Sequence, residues 1–134
     1  MLAPIARQGA DLVQGSRWLS GRRNFGAMPA YRRLATRLHP LLFSLVARRR
    51  VTDSTNGFRA LRTSVLRDPR IDLDQDWLDG YELEPYLYLS LIRLGYRCME
   101  VGVTKVYPPK RLGQTKMRPV LDWWSILRPL WRGL

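Results

Sequence analysis

The sequence is short of the residues from which several kinds of site are built. It has one cysteine, Cys98, and one histidine, His39, among 134 residues. That excludes an internal disulfide and a cysteine-rich zinc site, and it counts against a histidine-based metal centre. No stretch reaches the ~18 apolar residues of a membrane span, and the N-terminus has no apolar run of the signal-peptide kind, so a cytoplasmic protein is expected. There is no low-complexity tract and no internal repeat. Acid is scarce as well: 11 Asp and Glu stand against 23 Lys and Arg, for a net charge of +12. The pI is near 11.0.

What is present is enough to fold. Hydrophobic residues make up 46%, too many for a disordered chain and suited to one small domain or a piece of a larger one. A chain of this size buries about two-thirds of the surface it exposes when unfolded. The basic excess calls for a polyanionic partner, whether nucleic acid, phosphorylated substrate or anionic lipid. Its distribution is uneven. Residues 1–70 hold 14 Lys and Arg against 3 Asp and Glu, residues 71–100 hold 2 against 7, and residues 101–134 hold 7 against 1. A nonspecific nucleic-acid binder would rarely carry so acidic a middle, and the pattern better fits a site where carboxylates and cations have separate tasks.

Along the chain, residues 10–16 read as a short strand centred on Leu12 and Val13. A Gly- and Arg-rich loop is expected from Arg17 to Ala27. From Met28 to about Val46, Tyr31, Leu34, Ala35, Leu38, Leu41, Leu42 and Leu45 recur at helical spacing, with Arg32, Arg33 and Arg37 on the polar face. Pro29 suits the first turn of that helix, while Pro40 should kink or break it. Asn56-Gly57 is a turn signal ahead of a strand over Phe58-Arg59-Ala60-Leu61. Ser64 is placed to cap a short helical turn ending before Pro69. The acidic stretch Asp72 to Asp79 is loop-like. Glu84-Pro85 opens a helix to Leu94, apolar nearly all round and so buried, with Gly95 as its C-cap. Cys98 to Val106 reads as a strand, Pro108-Pro109 breaks it, and a basic loop runs from Lys110 to Arg118. Val120 to Leu134 reads as one Trp-rich helix. This is an α/β order.

Five stretches in sequence carry a resemblance. They are Asp11-Leu-Val-Gln-Gly-Ser-Arg-Trp18; Tyr31-Arg-Arg-Leu-Ala-Thr36; Thr52-Asp-Ser-Thr-Asn-Gly-Phe-Arg-Ala60; Gly80-Tyr-Glu-Leu-Glu84 leading to Gly95-Tyr-Arg-Cys-Met-Glu-Val101; and Leu112-Gly-Gln-Thr-Lys-Met117. Together they are similar to the second half of family 2 glycosyltransferases of the dolichol-phosphate mannose synthase and polyprenyl-phosphate hexosyltransferase type. The resemblance implies a partial GT-A fold, a mixed sheet flanked by helices, with the N-terminal nucleotide-binding half absent. Residues 1–118 would be the acceptor-side half and residues 119–134 a Trp- and Arg-rich C-terminal helix. The activity implied is transfer of a hexose, with inversion, from a nucleotide sugar to a polyprenyl phosphate. Mg²⁺ or Mn²⁺ is expected for the complete enzyme, on an Asp-x-Asp motif of the other half. Asp72-Leu-Asp74 has that spelling but reads as a solvated acidic loop, so no metal ligand is assigned to this chain. On its own the chain is expected to lack nucleotide-sugar binding and turnover.

Arg17, Arg32 and Thr36 match positions that hold the acceptor phosphate in the family, and Arg32 and Thr36, four apart, share a helix face. The plainer alternative makes Arg32, Arg33 and Arg37 the wet face of an amphipathic helix. Asp53 and Arg59 flank the turn, either as supports of the active site or as a loop cap and an ion pair. Glu82 and Glu84 precede the buried helix. The dolichol-phosphate mannose synthases tend to carry Gln where Glu84 stands, so Glu84 reads as a catalytic base toward a hydroxyl, as a positioning group, or as an acid beside a helix N-terminus. Lys116 matches a family lysine on a mobile loop near the donor diphosphate or the acceptor phosphate, where a cation would stabilise charge building on the leaving diphosphate. Alternatively it belongs to a solvated basic loop. His39 and Cys98 are assigned no chemistry. Trp123, Trp124 and Trp131 beside Arg118, Arg128 and Arg132 suit either an anionic membrane surface or a core-packing helix. The location implied is peripheral, at the inner face of the membrane. The rival class is a noncatalytic basic module binding nucleic acid through Arg clusters and aromatics, or a membrane adaptor using the tail alone.

Overall fold

The computed structural model describes residues 1–19, 28, 30–104 and 121–132. Helix α1 (Leu2–Gln8) precedes strand β1 (Leu12–Ser16), and helix α2 spans Ala30–Ala47. Strand β2 (Arg59–Leu61) is followed by a 3₁₀ turn (Thr63–Arg67), helix α3 (Leu83–Arg93), strand β3 (Cys98–Gly102) and two short helices, α4 (Leu121–Leu127) and α5 (Pro129–Arg132). The sheet has the order β2-β1-β3. β1 runs antiparallel to β2 and parallel to β3. The fold is therefore α/β, a small mixed sheet flanked by helices.

β1 is central and buried along its whole length; Leu12 and Val13 enter the core, while Gln14 and Ser16 are buried with hydrogen-bond partners. Its register aligns Leu12 with Cys98, Gln14 with Glu100 and Ser16 with Gly102. Gly15 lies against the Phe58 carbonyl, to which its own N–H donates at 2.9 Å. A Cβ there would sit 2.7 Å from that oxygen, so only glycine lets β1 and the 56–58 segment approach this closely. α3 supplies much of the core, burying Tyr86, Leu87, Tyr88, Leu89 and Leu91. The Phe43 ring of α2 stacks on Tyr88 at 5.2 Å between centroids. Gly95 follows α3 with φ +79°, as the sequence predicts.

Three expectations need correction. α2 runs unbroken through Pro40. Proline removes one N–H from the ladder, but Pro40 is buried and its carbonyl accepts from Ser44 Oγ at 2.6 Å. The turn at 63–67 begins after Arg62 with no side-chain cap, and Ser64 lies inside it. The tail is two helices rather than one, because the residue before a proline is pushed out of the α region and Pro129 suits a helix start. Expectations for the 20–27 loop and the 110–118 loop, Lys116 included, lie outside the described residues, as do Val106, Pro108 and Pro109.

Periodicity located α2 but not its inner face. The buried residues are Thr36, His39, Pro40, Phe43 and Ala47. Tyr31, Leu34, Leu38, Leu41, Leu42 and Leu45 are exposed. The inward face is set by hydrogen bonds and the Phe43 contact, and most of the leucines face outward.

Candidate functional site

The site is organised by the segment Thr52–Gly57, which runs alongside the C-terminal end of β1. Glu100 of β3 accepts from the backbone N–H groups of Thr52 (2.9 Å) and Asp53 (3.0 Å) and from Thr52 Oγ1 (3.0 Å). Thr52 Oγ1 also meets Ser16 Oγ at 2.6 Å. Gln14 Nε2 donates to the Asn56 carbonyl at 2.6 Å, and Asn56 Nδ2 donates to the Gly15 carbonyl at 2.9 Å. A segment with no regular structure is thereby fixed to two strands by side chains, which satisfy the backbone groups that a ladder would otherwise pair. Sequence reasoning assigned no role to Glu100 or Gln14. The available signal was polar residues inside strand patterns.

Fixed in this way, Asp53 faces Arg17. Arg17 donates to Asp53 through Nε (2.6 Å) and its backbone N–H (3.1 Å) to Oδ2, and through Nη2 (2.8 Å) to Oδ1. Nη2 also donates to Thr55 Oγ1 at 2.7 Å. The side chains are 3% and 0% exposed. This is a forked, buried pair, the geometry in which guanidinium and carboxylate hold each other most firmly.

Arg59, on β2, does the same for the start of α3. Nη1 donates to the Glu84 carbonyl at 2.6 Å, Nη2 to the Asn56 carbonyl at 3.2 Å, and Nη2 lies 3.5 Å from Glu84 Oε2. Burial pulls the Arg59 guanidinium below its ordinary pKa, and Glu84 opposes that. An arginine so shifted remains a cation. The Glu84 side chain is 45% exposed. Its carboxylate lies over Gly57, where a Cβ would come within 2.8 Å of Oε1. Gly57→Ala should therefore displace the carboxylate while costing under about 1 kcal/mol, since a half-exposed bridge contributes little. The check is the Glu84 carboxyl NMR signal together with the melting temperature; both unchanged would mean that the site accommodates the methyl group.

These residues surround a cavity of about 370 Å³. Arg17, Arg32, Thr36 and Glu84 line it, and Asp53 and Arg59 lie behind that lining as partners of Arg17 and Glu84. Thr36 Oγ1 is bonded to the Arg33 carbonyl at 3.1 Å. The three arginines of α2, alike in sequence, are sorted by the fold. Arg32 is half-buried on the cavity, Arg33 is exposed, and Arg37 lies over the Trp18 ring at 4.8 Å. The rest of the wall is apolar, with Ala35, Leu38 and Leu42 on α2 and Trp123, Ile126 and Leu127 on α4. His39 also lines it, with Nδ1 2.7 Å from Ser54 Oγ and Nε2 3.1 Å from the Ile126 carbonyl. Sequence reasoning gave His39 no chemistry, and nothing in its neighbours flags it.

Burial pushes the His39 pKa below 6.5, with smaller opposition from the Ile126 bond and Asp53. The folded state thus binds this proton more weakly than the unfolded chain. The His39 contribution to stability is whole above about pH 6.5 and declines as pH falls through that value toward the folded pKa. Melting temperature measured from pH 7.5 downward should carry this component, and His39→Gln should remove it. A variant with the wild-type pH profile would place the titration elsewhere.

Among the described residues no group of three or more His, Cys, Asp and Glu could hold a metal ion. The carboxylates here are committed elsewhere: Asp53 to Arg17, Glu100 to backbone amides, Glu84 to Arg59. Asp72 and Asp74 are exposed, and Asp74 N–H donates to Asp72 Oδ1 at 3.0 Å in a local turn. Among the described residues these carboxylates are thus spread over separate partners. No described helix is long and apolar enough to cross a membrane.

The tail divides between core and surface. Pro129 and Leu130 are buried, whereas Trp124 and Trp131 are exposed with ring centroids 4.9 Å apart.

The chain is similar to an undecaprenyl-phosphate mannosyltransferase of Micrococcus luteus, 35% identical over 108 residues, which is 81% of this chain and 42% of that protein. It thus spans less than half the length of the relative. The likeness supports a glycosyltransferase relationship. No family model matches, and no solved structure matches.

Proposed function

We propose that this chain is the acceptor-binding part of a family 2, GT-A glycosyltransferase that moves a hexose from a nucleotide sugar onto a polyprenyl phosphate. The observation that carries the reading is the cavity itself: Arg32 and Arg17 at one part of the wall, and an apolar surface from α2 and α4 over the rest. That combination suits an amphiphile with an anionic head and a hydrocarbon tail, and it is ill suited to a free sugar hydroxyl. The relative's name points to the same acceptor class.

In this reading the acceptor phosphate is ionised near neutral pH and requires no general base. What it needs is orientation and charge compensation. Arg32 presents a planar fork to two phosphate oxygens, and Thr36 turns its hydroxyl from the Arg33 carbonyl to a third. Arg17, held in place and charge-balanced by Asp53, completes the polar end of the cavity. A phosphate oxygen forms the bond to the anomeric carbon as the bond to the nucleoside diphosphate breaks, and no proton is transferred. Glu84, anchored by Arg59, positions the acceptor. Its alternative role, base toward a hydroxyl, would apply to an acceptor that is not a phosphate. Lys116 would meet charge on the leaving diphosphate. A divalent cation, where the complete enzyme uses one, would be held by residues outside this chain, and turnover would require the donor-binding part. Calorimetry with undecaprenyl phosphate and undecaprenol in matched micelles tests the reading: binding should depend on the phosphate, and equal binding of the alcohol would overturn it.

The membrane side of the proposal is α2. Leu34, Leu38, Leu41 and Leu45 form one stripe at spacings of four, three and four, 57%, 47%, 67% and 76% exposed. Arg33, Arg37 and the exposed Arg48-Arg49-Arg50 run beside it. With Trp124 and Trp131, this surface suits peripheral attachment to the anionic inner face of a membrane. Leu41→Glu with Leu45→Glu should remove co-sedimentation with phosphatidylglycerol vesicles at little cost in stability, because both side chains are already in water. Undiminished vesicle binding would assign attachment to another surface.

A further inference from the structure

His39 is 6% exposed on the inward face of α2, seven residues beyond Arg32 and three beyond Thr36. Both ring nitrogens are used. A carbonyl can only accept, so Nε2 carries the hydrogen donated to Ile126, and in the neutral ring Nδ1 then accepts from the Ser54 hydroxyl. The Ile126 carbonyl belongs to the last turn of α4, where helical carbonyls have no partner within the helix. One imidazole therefore joins α2, the 52–57 segment and α4, and each of the three contributes wall to the cavity. The Ile126 carbonyl is a hydrogen-bonded tie between α4 and α2, and Trp123 and Leu127 stand on either side of it as apolar wall.

The cavity also has a direction. Arg32, Thr36, His39 and Leu42 succeed one another along α2, about 15 Å from first to last at the helical rise per residue. A phosphate at Arg32 would send its hydrocarbon past His39, over a length that holds only the first few isoprene units. We infer that His39 is a positioning residue for the hydrocarbon chain: its bond to Ile126 holds α4 in place as the wall against which those first units lie. His39 then governs how much affinity grows with chain length and leaves the hold on the phosphate to Arg32. This rests on the reading of the cavity as a polyprenyl-phosphate site.

The experiment is a calorimetric series of polyprenyl monophosphates of one to four isoprene units against the 134-residue chain. Wild type should tighten with each added unit. His39→Asn keeps a polar group near the Ser54 side and loses the Ile126 arm; it should bind the shortest phosphate within twofold of wild type but lose about tenfold of the gain from lengthening, the worth of one well-placed hydrogen bond. His39→Gln reaches the Nε2 position and should keep most of that gain, as should Ser54→Ala. If His39→Asn does not fold, His39→Phe, which fills the volume without either hydrogen bond, provides the same comparison. A wild-type length dependence in His39→Asn or His39→Phe would overturn the inference. So would an equal loss at every chain length, which is the mark of a merely structural residue. Failure of wild type to bind any member of the series would instead overturn the reading of the cavity, and this inference with it.

Discussion

Asp53→Ala should be among the most destabilising single substitutions in this chain, lowering stability by about 3–5 kcal/mol, because it leaves the Arg17 guanidinium buried without its carboxylate. Three Arg17 donors, two from the guanidinium and one from the backbone, converge on Asp53, and water cannot replace them where the side chain is 0% exposed. The same change frees Thr55, whose N–H also donates to Oδ1 at 3.3 Å, so the floor of the cavity loosens together with the fold. Arg17→Met with Asp53→Leu should recover much of the loss, since an apolar pair removes both charges at once. Urea unfolding of the two variants decides the matter. If Asp53→Ala costs less than about 1 kcal/mol, the pair is more hydrated than its burial indicates.

Arg32→Ala is the complementary case, a change whose larger effect is on binding. Arg32 is half-buried on the cavity wall and forms no part of the core. On the proposed reading its removal withdraws a charge-assisted, forked contact of about 1.5–3 kcal/mol from the phosphate, a loss of roughly 10- to 150-fold in affinity. Melting temperature should fall far less than in Asp53→Ala. Arg33→Ala, on the same helix but away from the cavity, should leave affinity within about twofold at moderate salt, where exposed charges are screened. Equal effects of the two substitutions would mean that α2 attracts its ligand by overall charge, which is the behaviour of a nucleic-acid-binding surface. Salt titration would then show a steep fall in affinity for oligonucleotides.

What the sequence made legible was local. β1 was readable because Leu12 and Val13 are a short apolar run before Gly15, and α3 because Glu84-Pro85 and Gly95 bracket an apolar helix. The convergence of Arg17, Arg32, Thr36 and Glu84 on one cavity was legible only through the resemblance; spacing alone relates Arg32 to Thr36 and leaves Arg17 and Glu84 unconnected. α1 passed unnoticed, for seven residues beginning Leu-Ala-Pro carry too little periodicity to distinguish helix from coil. The orientation of α2 could not be read either. A stripe of leucines predicts an inward face only if something lies opposite to cover it, and here His39 turns inward to Ser54 and Ile126 and Phe43 to Tyr88, carrying Thr36, which bonds back to its own helix, to the same side. Asp53 was placed beside the site, but its partner was not foreseen, since a pairing across 36 residues leaves no mark on either neighbourhood.

The register of β3 against β1 has a consequence for how this chain could go wrong. Glu100 stands opposite Gln14 and from there clips Thr52 and Asp53. A slip of one residue would turn Glu100 to the opposite face of the sheet and bring Met99 or Val101 into its place. Neither offers a carboxylate to the backbone N–H groups, and a thioether is only a weak acceptor, so the 52–57 segment would come adrift, and Asp53 and Arg17 would part. A mispaired sheet would thus retain most of its strand content and have no cavity floor. The same carboxylate that shapes the cavity also proofreads the fold, and a chain with an intact cavity is by that fact a chain whose strands are in step.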